Sequence, residues 1–130
     1  MLGTAKIVAF GATADSARSR AFYEGILGLT FIREDAFACT FDTGGVELRI
    51  QKVGSLTPQA HTMLGWSVAS IDAAVTILAG KGVTMERYGF LEQDKHGIWT
   101  SPSGAKIAWM KDPDGNLLSL TEPSPRWRGP

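Results

Sequence analysis

A chain of 130 residues with 44% hydrophobic and 20% charged side chains has the make-up of one soluble globular domain, long enough to bury a core. Its 13 basic and 13 acidic side chains cancel and no dense Lys/Arg patch occurs, which argues against nucleic-acid binding; the nearest cluster, "PRWRGP", reads as a tail. A single cysteine, Cys39, excludes an intramolecular disulfide, and with neither a signal-peptide pattern nor a long apolar run the expectation is a cytoplasmic protein with no membrane partner.

The first element is the apolar run Lys6 to Phe10, which reads as a buried strand. Thr13, Asp15 and Ser16 then offer N-cap oxygens. Phe22, Tyr23, Ile26 and Leu27 follow at helical spacing, and Gly28 stands where a helix stops. "LTFIRE" reads as the next strand. "FACTFDTGGVELRIQ" reads as two strands around a Gly-Gly hairpin turn. The segment "KVGSLTPQAHT" is a linker. "MLGWSV" opens a second series as a strand, and Ser70 is an N-cap for a helix whose Ile71, Ala74, Val75 and Leu78 form one apolar stripe. "VTMERYG" resumes extended structure. Three more strand segments follow, with turns at Pro102-Ser103-Gly104 and Pro113-Asp114-Gly115.

The order strand, helix, strand, strand, strand therefore occurs twice. The chain reads as one domain over 1–130, with a module over about 4–52, a linker over about 53–62, a module over about 63–122 and a tail at 123–130. Each sheet has one helix to cover one face. Val46, Leu48 and Ile50, then Leu64, Trp66 and Val68, then Leu118 and Leu120 should face that helix. The period of two then gives the other face Glu47, Arg49 and Gln51, then Met63, Gly65 and Ser67, then Ser119 and Thr121. That second set is polar, small and sulfur-bearing, as expected of a ligand cleft.

Three stretches resemble the vicinal oxygen chelate superfamily, which includes glyoxalase I, extradiol dioxygenases and fosfomycin- and bleomycin-resistance proteins. They are "ATADSARSRAFYEGILGLTF", "VASIDAAVTILAGKGV" and "AWMKDPDGNLLSLTE". The resemblance covers nearly the whole chain to about Glu122. It implies an α+β fold of two βαβββ modules in a curved, incomplete barrel around a cleft, and a homodimer. In metal-dependent members of the family, four strand positions hold a divalent ion that binds neighbouring substrate oxygens. Carried onto this chain those positions are Val8, Glu47, Met63 and Ser119. Only Glu47 is a good ligand for such an ion: Val cannot coordinate, Met is soft and Ser is weak unless ionised. A displaced site from Glu47, His61 and His96 is the alternative. No cofactor is therefore expected, with a divalent metal as the lesser reading.

Several residues carry two readings. Glu47 is either a cleft carboxylate able to act as a base, its pKa raised if it is buried without a partner, or half of an ion pair with Arg49. Arg49 either binds an anionic ligand group or serves that pair. Trp99 is a stacking platform or a core or interface residue, while Trp66 and Trp109 read as core. His96 is a solvated loop residue or an acid/base. Cys39 reads as a structural thiol, and Asp112, Asp114, Gly115 and Asn116 as turn-makers. Phe10, Phe37, Met63 and Met110 offer an apolar floor or wall for a flat ligand, some of them being instead ordinary core. The leading functional reading is a small-molecule-binding protein whose ligand contacts Phe10, Arg49, Met63, Trp99, Ser119 and Thr121. The alternatives are a glyoxalase-type lyase or isomerase or a dioxygenase with displaced metal ligands, and a metal-free enzyme using Glu47 as base.

Overall fold

The computed structural model describes residues 1–125. Its contacts divide the chain into two units, Met1–Pro58 and Gln59–Pro130, and the division falls within the linker segment. The sequence tail at 123–130 lies largely outside the described residues.

In the first unit, strand β1 (Val8–Thr13) leads to a short helix α1 (Ser16–Arg20), which continues as a wider π-helical turn (Ala21–Ile26). Asp15 caps α1 by accepting the Arg18 N–H at 3.2 Å. Phe22 and Tyr23 are both buried, with Tyr23 packed on Phe41 at a ring separation of 5.8 Å. The helical segment ends at Leu27, and Gly28 follows in the left-handed region (φ 76°). Strands β2 (Thr30–Glu34), β3 (Ala38–Thr43) and β4 (Val46–Lys52) complete a four-stranded sheet in the order β1-β4-β3-β2, with β1 parallel to β4 and the rest antiparallel. Gly44 and Gly45 both take positive φ, the requirement of the tight hairpin turn that joins β3 to β4. Leu48 and Ile50 are fully buried on the same side as Phe41 and Cys39.

The second unit repeats this plan. Strand β5 (Leu64–Ser67) precedes helix α2 (Ile71–Gly80); strands β6 (Trp99–Thr100), β7 (Lys106–Lys111) and β8 (Leu117–Glu122) follow, in the sheet order β5-β8-β7-β6. Ser70 caps α2 through Ala73 N–H at 3.2 Å, and the Glu122 carboxylate accepts the Ile71 N–H at 3.1 Å. One helix N-terminus is thus satisfied from its own cap and from the far end of the chain. Ile71, Val75 and Leu78 pack over β7 and β8, where Ala108, Met110, Leu118 and Leu120 are buried.

Four sequence expectations are corrected. The first strand begins at Val8 and runs to Thr13, because its partner β4 extends that far in register, Thr13 opposite Lys52. The stretch from Val83 to Gly89 forms no strand; it meets the sheet through the Glu86 N–H donated to Trp109 at 2.7 Å, the Glu86–Lys111 ion pair and the Tyr88–Trp109 ring contact. Met110 is a core residue and no pocket wall. Trp109, expected in the core, has the opposite parity: it lies opposite Ser119, half-buried, against Tyr88 and Trp99.

Candidate functional site

The face of the first sheet turned away from the helix is a grid whose rows are fixed by the strand register. One row reads Phe10, Arg49, Thr40, Arg33 across β1, β4, β3 and β2. The row on one side of it is Val8, Glu47, Asp42 and Thr30. The row on the other side is Ala12, Gln51 and Ala38. Directly opposed residues share a face and stand about 5 Å apart, so each row is a continuous strip of side chains.

The strip has a hollow at its middle. Thr40 and Ala38 on β3 are small and buried, whereas the residues around them are long: Phe10, Arg33, Asp35, Phe37, Arg49 and Gln51. The result is a pocket of about 260 Å³ floored by Thr40 and Ala38. Its aromatic walls, Phe10 and Phe37, are 48% and 79% exposed.

Charge in and around the pocket is organised by Glu47. Its Oε2 meets the Nε of Arg49 and lies 3.9 Å from Nη2 of Arg33. The Arg49 guanidinium stands 5.9 Å from the centre of the Phe10 ring. Glu47 keeps 35% of its side chain exposed and is paired with guanidinium groups, so it is neither buried nor without a partner. Asp35 accepts the Phe37 and Ala38 N–H groups at 2.8 and 3.0 Å, and these bonds hold its carboxyl below the usual range while shaping the loop that carries Phe37. Behind the sheet, Cys39 is fully buried. Burial, with Glu34 adding to it, pushes its thiol up to about 11, the state of an inert structural thiol.

The other predicted residues lie in the second unit. Ser119 stands opposite Gly65 and Trp109, and Thr121 opposite Ser67 and Ile107. A side chain at Gly65 would meet the Ser119 hydroxyl at 2.5 Å, so glycine there makes room for it. Met63, half-buried just before β5, donates its N–H to Leu117 at 2.8 Å. Trp99 borders a separate, acidic pocket of about 440 Å³ with Glu92 and Asp94. His61 is exposed outside the strands. His96 is exposed on a loop pinned by the Asp94 carboxylate, which accepts the His96 and Ile98 N–H groups. The Asp112 carboxylate accepts the Asp114 and Asn116 N–H groups and the Asn116 amide, a closed turn network.

Among the described residues no three His, Cys, Asp or Glu side chains are grouped so as to hold a metal ion. Donor chemistry is the stricter test. Val8 and Glu47 are direct neighbours in register, as a shared ligand site requires, yet Val8 offers no donor and Glu47 is engaged by two guanidinium groups. Met63 and Ser119 supply a thioether and a neutral hydroxyl. This set does not fit a divalent ion of the Zn, Mn or Fe type.

Sequence reasoning had brought Phe10, Phe37 and Arg49 into consideration but missed Arg33, Thr40 and Ala38. The last two were within reach: a two-residue Gly-Gly turn pairs Thr43 with Val46, which forces Thr40 opposite Arg49. Arg33 gave no such signal.

The whole-chain comparisons agree with this architecture. The family model for the Glyoxalase/Bleomycin resistance protein/Dioxygenase superfamily matches residues 9–120, and the chain belongs to that superfamily. Among solved structures, lactoylglutathione lyase from Agrobacterium tumefaciens is similar with a TM-score of 0.73 at 16% identity, covering 94% of this chain and 96% of that one. A superfamily member from Sphaerobacter thermophilus gives 0.73 at 20% identity, covering 95% and 100%. The bleomycin resistance determinant encoded on the transposon Tn5 gives 0.72 at 22% identity, covering 92% and 98%. At these identities the likeness is one of fold. No protein with a curated description matches the sequence. Among the described residues no helix is long and apolar enough to cross a membrane.

Proposed function

We propose that this protein binds a small organic molecule on the open face of its first sheet and does so without divalent-metal chemistry. The observation that carries the reading is the pocket itself. Small buried residues floor it, exposed phenylalanines wall it, and two arginines fixed by one carboxylate edge it. A metal-free reaction with Glu47 as base is the weaker reading, because that carboxylate is solvated and doubly ion-paired.

Ile7, Val8, Phe10, Ile32 and Phe37 of the first unit are exposed apolar side chains, as are Ile77 and Phe90 of the second, and the first group favours a homodimer in which a second copy covers part of that surface. Sedimentation at several concentrations tests that arm; a monomer at every concentration removes it.

The binding reading is tested by thermal-shift screening of a small-molecule library with the wild type and with Gln51→Trp. Gln51 is exposed at the pocket rim, so the indole obstructs the pocket without entering the core. A ligand present at about 100 times its Kd stabilises by roughly 2.7 kcal/mol. The expected result is hits that stabilise the wild type and lose their effect on Gln51→Trp. Hits unaffected by that substitution place the ligand elsewhere and overturn the reading.

A further inference from the structure

Strand β2 contains an irregularity with a chemical consequence. Phe31 opposes Phe41, but the next pair is Arg33 with Thr40: two steps on β2 match one on β3. Ile32 is the extra residue of a β-bulge. In a regular strand, Arg33 would share the face of Phe31, whose ring packs on Phe41 at 5.9 Å on the helix side. The bulge turns Arg33 over to the open face, into the same row as Arg49, with Thr40 between them. One inserted residue has created a two-arginine site.

The groups around the pocket are unevenly engaged. Arg49 gives its Nε to Glu47, and among the described residues its two terminal nitrogens have no hydrogen-bond partner. Among the described residues Arg33 makes a long ion pair, 3.9 Å, with the same carboxylate, and its charge also acts on Asp35. Asp35 is the one acid lining the pocket, and its Oδ1 is taken by two backbone N–H groups. Glu47 is in the neighbouring row and holds the arginines from outside the lining. The groups left open toward the pocket are therefore mainly donors, on two cations, beside two exposed aromatic side chains.

Resting on the binding reading above, we infer that the ligand of this site is a small aryl carboxylate: a single ring against Phe10 and Phe37, its planar anion received by the terminal nitrogens of Arg49 with Arg33 on the far side of Thr40. A guanidinium fork matches a carboxylate in two parallel bonds, which an ammonium does not. The pocket's 260 Å³ lies below the roughly 300–1,000 Å³ of sites for drug-sized ligands, which limits the occupant to about one ring. Glu47 is a positioning residue that orients both guanidinium groups.

Benzoate and its neutral isostere benzamide are the probes, titrated against the protein with its backbone N–H resonances monitored. Benzoate should shift the resonances of Phe10, Thr40 and Arg49, and benzamide should bind at least about tenfold more weakly. Arg49→Gln and Arg33→Gln should each erase most of that preference, and Arg49→Lys should restore only part of it. Both arginines are about half exposed, so these variants retain the fold. Equal binding of benzamide, or an undiminished benzoate preference in Arg49→Gln, overturns the inference. If benzoate shifts none of these resonances while another library compound does so and is blocked by Gln51→Trp, the anion reading falls and the pocket reading stands. If Gln51→Trp leaves every library binder unaffected, the pocket reading falls with it.

Discussion

Raising the pH should destabilise this protein through Cys39. The side chain is fully buried on β3, and burial pushes a thiol that ordinarily ionises at 9.0 up to about 11. The folded state therefore holds a neutral thiol where the unfolded chain holds a thiolate. With the folded value raised, the stabilisation is complete below pH 9 and is lost as the pH climbs toward 11. Two units at about 1.4 kcal/mol each make the loss roughly 2–3 kcal/mol. Lysines and tyrosines titrate in the same range, so the quantity to measure is a difference. Urea unfolding of the wild type and of Cys39→Ala is followed from about pH 8 to 11. The alanine variant carries a constant penalty for its small cavity, but it lacks the thiol. The wild-type stability minus that of the variant should fall by roughly 2–3 kcal/mol across this interval. A difference that stays flat with pH would refute the argument, because it would mean that the folded protein ionises the thiol as easily as the open chain does. Native Cys39 should also resist a disulfide reagent at pH 8 and react at once in denaturant.

The Asp112 carboxylate serves two backbone N–H groups and the Asn116 amide inside a nearly buried turn, so Asp112→Ala should cost about 3 kcal/mol in chemical denaturation, and a loss under 1 kcal/mol would show that water replaces it readily. Ser70→Ala and Glu122→Gln remove independent acceptors at the start of α2; the first should cost about 1 kcal/mol and the second less, because the amide oxygen still accepts, with loss of hydrogen-exchange protection confined to the first turn of the helix. Ala in place of Gly65 should destabilise by about 1–3 kcal/mol because its methyl meets the Ser119 hydroxyl, and Ser119→Gly in the same chain should recover most of the loss. Treatment with a chelator should leave both the melting temperature and ligand binding unchanged; stoichiometric Ni, Zn, Mn or Fe in the purified protein would contradict the donor chemistry read at Val8, Glu47, Met63 and Ser119.

The order of elements and the covered faces were legible because they follow from local rules. Apolar spacing marked α2, Ser70 marked its start, and the Gly-Gly dipeptide marked the hairpin. The period of two separated Leu48 and Ile50 from Glu47 and Arg49, and Leu118 and Leu120 from Ser119. The turn role of Asp112 and Asn116 was readable because Asp and Asn bond their own backbone. Trp109 was expected in the core and Met110 was left between wall and core because hydrophobicity alone does not say which of two adjacent apolar residues faces the helix; the register with β8 decides it.

By itself the sequence determined the α+β class, the two repeated modules and the family, since all of these are properties of residue type and spacing. The tertiary structure decided where the pocket lies and what charge it shows. Ion pairing of Glu47 with two arginines depends on β2, β3 and β4 lying side by side. The turning of Arg33 onto the open face depends on one bulged residue, Ile32, and a bulge is set by how a strand fits its neighbour, which no period within the strand itself records.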